Sequence, residues 1–309
     1  MIKILVCDGM EKDAIEKLRN DGFEVVDKHY EEDELKEKVK DFDVMVVRSA
    51  TKARKPLIDE AKNGELKLII RGGVGVDNID VEYARENGIE VRNTPNASSA
   101  SVAELAIGHM FALTRYINIS NITMRDGKWE KKKYKGVELC GKTLGLIGFG
   151  RIAKEVAKRA EALGMKVIYT DKLGKAKGYD KYQFCTLENL LKKANFISIH
   201  VPFNKEDGAV IGEKEFKLMK DGVYLINCAR GGVVNENALV EALNCGKVAG
   251  AGIDVFENEP NPNPELINNP RVCATPHIGG STEEAQERIG NEIVNIIEET
   301  FEYANAVNA

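Results

Sequence analysis

Three stretches of this chain end apolar runs with polar groups able to move a proton and hold an acid. They are Cys228-Ala229-Arg230-Gly231-Gly232, Asp254-Val255-Phe256-Glu257-Asn258-Glu259-Pro260 and Thr275-Pro276-His277-Ile278-Gly279-Gly280. A histidine such as His277 exchanges a proton near neutral pH. A carboxylate such as Glu259 beside it would hold the ring and stabilise the imidazolium. An arginine such as Arg230 can grip a carboxylate through two hydrogen bonds and polarise a neighbouring carbonyl oxygen. Taken singly, each has a plainer reading: surface arginine, loop glutamate, turn histidine.

A fourth stretch, KTLGLIGFGRIAKEVAKRAEALG (142–164), supplies what those three lack. Leu144–Ile147 reads as a strand and Gly148 with Gly150 as a tight turn. Ile152, Val156, Ala160 and Leu163 mark the apolar stripe of a helix that stops at Gly164. Unpaired N–H groups at such a helix start bind anions, and glycine lets a pyrophosphate approach without a Cβ in the way. Ala153 fills the third small position, where helix packs on strand. Asp171 ends the next apolar run, about 20 residues on, where a carboxylate can bind a ribose hydroxyl. Glycine spacing alone is weak evidence, since an ordinary strand–helix turn shares it. Strand, helix and acid together specify a dinucleotide site. With the three polar strand ends on the same sheet edge, they point to hydride transfer between a nicotinamide cofactor and a 2-hydroxy or 2-oxo acid.

Holding these groups on one edge requires parallel strands, and the hydropathy pattern supplies them. Strands over Ile2–Cys7, Phe23–Val26, Val44–Val47, Leu66–Ile70 and Glu90–Arg92 alternate with helices over Glu11–Asn20, Glu31–Lys40, Pro56–Ala61 and Val81–Glu86. Repeated β–α units imply a parallel sheet covered on both faces, with sites at the carboxyl ends of its strands. Two loops fall there: Arg48-Ser49-Ala50-Thr51 and the glycine-rich Arg71–Asn78. No helix opens directly after the second and no acid follows at the required distance, so it is not another dinucleotide site. Its N–H groups could face a small anion, and a plain tight turn is equally open from spacing.

Asn93-Thr94-Pro95-Asn96 reads as a domain crossing, followed by a long helix capped by Ser101-x-x-Glu104. His109 inside it reads as a core histidine, and Asp126–Val137 as a polar loop with Trp129. Lys131-Lys132-Lys133 in that loop reads as a solvated run, kept as a candidate contact for a substrate anion. Strands Leu144–Ile147, Val167–Thr170, Phe196–Val201, Val223–Asn227, Ala249–Val255 and Val272–Thr275 then complete one six-stranded sheet. Helices lie between them, including Glu188–Lys193, Glu213–Met219 and Asn237–Leu243. Ser281-x-x-Glu284 caps a last helix to about Tyr303, surplus to this sheet and expected to return to the first domain. The expected organisation is a discontinuous substrate domain, 1–96 with 282–309, and a nucleotide domain, 97–281. Two helical crossings would form a hinge over a cleft. His200, before Val201 and Pro202, suits a structural or cofactor-lining role, and His29 an exposed one.

Composition narrows the partners. The 309 residues suit two domains of ordinary size. A net charge of −5 disfavours nucleic acid and anionic membrane. No run approaches the roughly 18 apolar residues of a membrane span. The start, MIKILVCDGM, reads as a strand rather than a signal peptide. Six scattered cysteines without CxxC pairs read as core thiols of a reducing cytoplasm, and no clustered spacing suggests a metal.

Seven ordered segments carry a resemblance over nearly the whole chain: VRSAT (47–51), RGGVGVDNID (71–80), NTPNASSASVAE (93–104), GKTLGLIGFGRIA (141–153), NCARGG (227–232), DVFENEP (254–260) and PHIGGST (276–282). By them the chain resembles the NAD-dependent D-2-hydroxyacid dehydrogenase family, most of all its members acting on D-3-phosphoglycerate. The resemblance implies a flavodoxin-like substrate domain beside a Rossmann NAD-binding domain. It implies His277 as general acid/base, Glu259 as its orienting carboxylate and Arg230 as the substrate-binding arginine. Cofactor contacts are implied for Val74, Gly148, Gly150, Arg151, Ile152, Asp171, Val201, Pro202, Cys228, Ala229, Arg230, Asp254, His277, Gly279 and Gly280. Among these Arg151 and Ile152 match pyrophosphate contacts, Asp171 the adenosine ribose ligand and Asp254 the nicotinamide carboxamide contact. Substrate contacts are implied for Arg48, Ser49, Val74, Gly75, Asn96, Arg230 and His277.

The implied reaction is oxidation of D-3-phosphoglycerate to 3-phosphohydroxypyruvate, toward serine, by a cytoplasmic homodimer paired through its nucleotide domains. Asp171 would repel a 2′-phosphate and so favour NAD over NADP, tempered by Lys172, Lys175 and Lys177. Arg48, Thr51 and the 131–133 lysines favour a phosphorylated substrate. Phe203, Asp207 and Gly208 stand where the family has a leucine and paired threonines, which alters the adenine side. The chain ends soon after Ala304, so a carboxyl-terminal regulatory domain and serine feedback are not expected. The other readings are a glyoxylate/hydroxypyruvate or broader 2-oxoacid reductase and, from another class, an NAD(H)-sensing corepressor. The complete Arg/Glu/His set and the lack of terminal extensions weigh against the corepressor.

Overall fold

The structure, a computed structural model, describes residues 1–307, with side chains through Phe301. Its backbone contacts divide it into two compact units: Met1–Ser98 with the chain from Gly280 onward, and Ser99–Gly279. These crossings lie two residues from the sequence-based positions.

In the first unit, β1 (Lys3–Val6), β2 (Glu24–Asp27), β3 (Val44–Val47), β4 (Leu68–Arg71) and β5 (Glu90–Asn93) form a parallel sheet in the order β2-β1-β3-β4-β5. This is the flavodoxin-like doubly wound order. The central strand β3, Val-Met-Val-Val, is sealed on both faces, as an apolar run in a two-sided parallel sheet must be. Each such buried side chain contributes roughly 1.5–3 kcal/mol. One face packs on Leu35, Leu57, Ile58 and Ala84 of the intervening helices. The other is covered by Ala14, Ile15 and Leu18 and by Ile289, Ile293, Val294 and Ile297 of the last helix, Glu283–Val307.

In the second unit, β6 (Thr143–Ile147), β7 (Lys166–Thr170), β8 (Gln183–Phe184), β9 (Phe196–Ile199), β10 (Val223–Asn227), β11 (Val248–Ile253) and β12 (Val272–Ala274) are also all parallel. The order is β12-β11-β10-β9-β6-β7-β8, a Rossmann sheet with one further strand at the edge. The order reverses at β6, so the glycine turn after it lies at the switch point where ligands bind.

Several local expectations are corrected. The sheet has seven strands rather than six, because the exposed pair Gln183–Phe184 joins β7 and is too short to show a periodicity. The helix expected to start at a Ser101–Glu104 capping box spans Ser99–Thr114, with Ser101 buried inside it. Glu104 instead accepts from Arg159 at 2.8 Å. Asp126–Val137 is not all loop: a separate helix, Ile117–Arg125, precedes it and Lys131–Lys133 make a 3-10 turn. The last helix is capped one residue late, by the Thr282 hydroxyl on the Ala285 N–H (3.1 Å), rather than by Ser281.

Candidate active site

At the end of β6 the chain must turn hard against β9. Gly148 does so at φ +84°, and a Cβ there would lie 2.5 Å from the His200 carbonyl oxygen and 2.7 Å from Val201. Gly150 faces open space at the start of the helix Arg151–Ala162, which has no side-chain cap. Ala153 is fully buried beneath that first turn. The Asp171 carboxylate at the end of β7 ties the turn down: Oδ2 accepts from the Phe149 N–H (2.7 Å) and Oδ1 from the Leu173 N–H (2.8 Å). Each oxygen keeps a second lone pair for a sugar hydroxyl. An uncapped helix start, open space at its glycine and a partly used carboxylate fit a dinucleotide.

The three polar strand ends form one hydrogen-bonded assembly. Glu259 Oε2 accepts from His277 Nδ1 at 2.8 Å, and Oε1 from the Phe256 N–H at 3.0 Å. A carboxylate only accepts, so Nδ1 carries the hydrogen and Nε2 presents a lone pair. Burial pushes the Glu259 pKa up, but the His277 and Phe256 hydrogen bonds and the His277 and Arg230 charges together hold it below the usual value. His277 sits at φ 54°, its N–H donating to the Asp254 carbonyl at 2.8 Å. A left-handed histidine aims its ring from a tight turn, a conformation that the surroundings must enforce.

The turn that carries Arg230 is held by Asn227, whose Nδ2 donates to the Arg230 carbonyl (3.0 Å) while Oδ1 accepts from the Ala229 N–H (3.1 Å). Gly231 lets this turn touch the next: a Cβ there would lie 1.8 Å from the Phe256 carbonyl oxygen. That approach brings the arginine turn against the glutamate loop. The carboxyl ends of β10, β11 and β12 thus assemble an arginine, a carboxylate and a histidine beside the glycine turn, a set able to exchange a proton and polarise a carbonyl.

In the first unit, described by itself, the Arg48–Thr51 loop is folded around Asp8. The Asp8 carboxylate accepts from the Arg48 N–H (2.7 Å), the Thr51 N–H (3.0 Å) and the Thr51 hydroxyl (2.6 Å). Asn78 braces the loop by donating to the Arg48 and Thr51 carbonyls at 2.8 and 2.7 Å. Gly73, at φ +139°, leaves no room for a Cβ beside the Arg71 guanidinium. Among the described residues, the N–H groups of Val74 and Gly75 and the side chain of Arg48 make no hydrogen bond. Ser49 is exposed, and Asn96 donates to Glu292 at 3.3 Å.

The profile of the D-isomer specific 2-hydroxyacid dehydrogenase NAD binding domain matches residues 107–279. The chain belongs to this family. It is 49% identical over 300 residues to a hydroxypyruvate reductase of Thermotoga maritima, covering 96% of this chain and 97% of that protein. It is 45% identical over 306 residues to a D-3-phosphoglycerate dehydrogenase of Methanocaldococcus jannaschii, covering 97% of this chain but only 58% of that relative's length. Among solved structures, D-lactate dehydrogenase from Aquifex aeolicus, complexed with NAD and lactic acid, superposes with a TM-score of 0.84 at 31% identity, covering 97% of this chain and 95% of the other. The cofactor of the dehydrogenase is therefore NAD.

Asp254, implied as the nicotinamide carboxamide contact, is bonded to the histidine turn. It is 1% exposed, and its oxygens accept from the Thr275 hydroxyl (2.6 Å), the Ile278 N–H (2.9 Å) and the Gly279 N–H (2.9 Å). Thr275 donates to Asp254, so at its other side it accepts from Nε2 of the buried His109 at 3.2 Å. Burial lowers the His109 pKa against the pull of Asp254, which suits a neutral core histidine. His200 is a second: its Nε2 pairs with the Ser198 hydroxyl at 2.9 Å, and its Nδ1 is enclosed without a partner beside the cofactor turn. Thr51, 5% exposed and committed to Asp8, is not available to a substrate phosphate. Asp8, Asn78, Asn227 and Thr275 are supports the sequence reading missed. The partners of Asp8, Asn78 and Thr275 lie 21 or more residues away, so no local spacing marks them, whereas Asn227 bonds only two and three residues ahead. Among the described residues no helix could span a membrane, and no group of three His, Cys, Asp or Glu side chains could hold a metal.

Proposed function

We propose that the dehydrogenase oxidises D-3-phosphoglycerate at C2, forming 3-phosphohydroxypyruvate. NAD, when bound, accepts the hydride. His277 takes the hydroxyl proton on Nε2 while Glu259, bonded to Nδ1, stabilises the imidazolium. Arg230 holds the substrate carboxylate and polarises the oxygen at C2. The N–H groups of Val74 and Gly75 offer a second carboxylate contact, and Arg48 serves the phosphate. In reverse, protonated His277 returns its proton to the same oxygen. The observation carrying the phosphorylated substrate is Arg48: half-buried, and with a guanidinium that bonds to nothing among the described residues.

The second reading is reduction of hydroxypyruvate. It is favoured by the commitment of Thr51 to Asp8, which removes one phosphate ligand. An NADH-production assay comparing 3-phosphoglycerate, glycerate and lactate decides. A kcat/KM at least tenfold higher for 3-phosphoglycerate is expected, and equal or better turnover of glycerate would overturn the first reading. NAD is preferred to NADP because Asp171 would meet the 2′-phosphate, and two of the three nearby lysines are paired, Lys172 with Asp207 and Lys175 with Asp180. The six free thiols fit a cytoplasmic enzyme. A homodimer through the nucleotide unit is supported by the exposed apolar side chains of Ile117–Arg125 and Trp129.

A further inference from the structure

The opposite edge of the Rossmann sheet carries a second concavity, unrelated to the glycine turn. A cavity of about 550 Å³ opens at the amino ends of β6 and β7, where Thr143 and Lys166 are the first strand residues. A five-residue parallel strand rises about 13 Å between its ends, so the full height of the sheet separates this cavity from the cofactor turn. Its floor is Met165, Val167, Ile168 and Tyr182, and its rim holds Lys166, Lys181, Lys192, Lys193 and Lys220 against a single carboxylate, Glu161.

Surface lysines are usually solvated or paired, and two here are paired: Lys181 with Glu161 and Lys192 with Glu188. The others differ. Lys220 donates to the Lys193 backbone carbonyl, which holds its ammonium at the end of the helix Leu187–Lys193 on the rim of the cavity. Among the described residues, Lys166, Lys193 and Lys220 have no carboxylate partner. An uncompensated cationic cavity in a chain of net charge −5 runs against the charge of the whole. Lysine ammoniums converging on a concavity attract phosphate as point charges.

We propose that this cavity is a second anion site that binds a polyphosphate, free or as part of a nucleotide. Lys166, Lys193 and Lys220 would take the charge, and the floor by Met165 and Tyr182 any attached base. The test is calorimetric titration of the NAD-saturated enzyme, its glycine turn thus filled, with inorganic pyrophosphate and separately with ATP at ~0.1 M salt. Saturable binding below about 1 mM is expected for at least one probe. Tighter binding of ATP would assign a nucleotide, and equal binding the bare polyphosphate. Lys166→Glu with Lys193→Glu should weaken binding at least tenfold, about 1.4 kcal/mol, while NADH production and melting temperature stay unchanged. No saturable binding by either probe, or equal affinity in the double variant, would overturn the proposal.

Discussion

At the scale of single residues, the site rests on one direction of one hydrogen bond. His277 Nδ1 donates to Glu259, so Nε2 is the ring nitrogen left to accept a proton. His277→Ala should therefore lower kcat by about 10²–10⁴-fold while NADH binding, followed by fluorescence titration, stays within twofold. Turnover near wild type would refute the assignment. Gly231→Ala makes a separate point. Its Cβ would be driven into the Phe256 carbonyl, parting the arginine turn from the glutamate loop, so kcat should fall without any change in chemical groups. Wild-type kcat in a folded Gly231→Ala protein would show the two turns tolerate separation. The pairing of His277 with Glu259 was legible in the sequence because both follow apolar runs that end on one edge of a parallel sheet. Asp254 was legible as a position, but its bonds to the histidine turn were not. Its partners Thr275, Ile278 and Gly279 come from the next strand, and only the packing of β11 on β12 brings them near.

At the scale of elements, the strands were readable because two-sided parallel sheets demand apolar runs: β3 is wholly apolar, β6 is so after Thr143, and β9 is broken only by the small Ser198. Edges and caps were not, since β8 is two residues long and a one-residue slip moved the last cap to Thr282. The end of β9 carries a measurable consequence. Phe196–Ile199 is wholly buried, and His200 follows with its Nδ1 enclosed, so burial depresses its pKa from 6.5 to about 4. The folded state thus prefers the neutral ring. This contribution is fully present above pH 6.5 and is lost as pH falls toward the folded value of about 4. Between pH 7.5 and 5 it amounts to roughly 2 kcal/mol of unfolding free energy. Urea unfolding across that window should show the decline, and His200→Gln should flatten it by most of that amount. An identical slope in the variant would move the effect to other groups.

At the scale of the whole molecule, one segment is hard to explain in a single copy. The helix Ile117–Arg125 buries none of its nine residues, and Ile117, Ile122 and Met124 are each more than half exposed. Trp129, just beyond it, is 79% exposed. A helix this short is marginal in water without an apolar face packed on something. What holds it within its own chain is slight: Thr123 bonds the Tyr134 hydroxyl at 2.9 Å, and Tyr116 packs beside Tyr134 at 5.7 Å. A second copy laid against this face would bury the same side chains on both partners, as a two-fold interface requires. Light scattering should then find twice the 34.1 kDa chain mass at micromolar concentration. Ile122→Glu with Met124→Lys should shift it to the single-chain mass. Neither residue belongs to the proposed site, so any accompanying loss of turnover would measure how far the dimer supports the active enzyme. A wild-type monomer at that concentration, or an undisturbed dimer in the double variant, would remove this face as the interface.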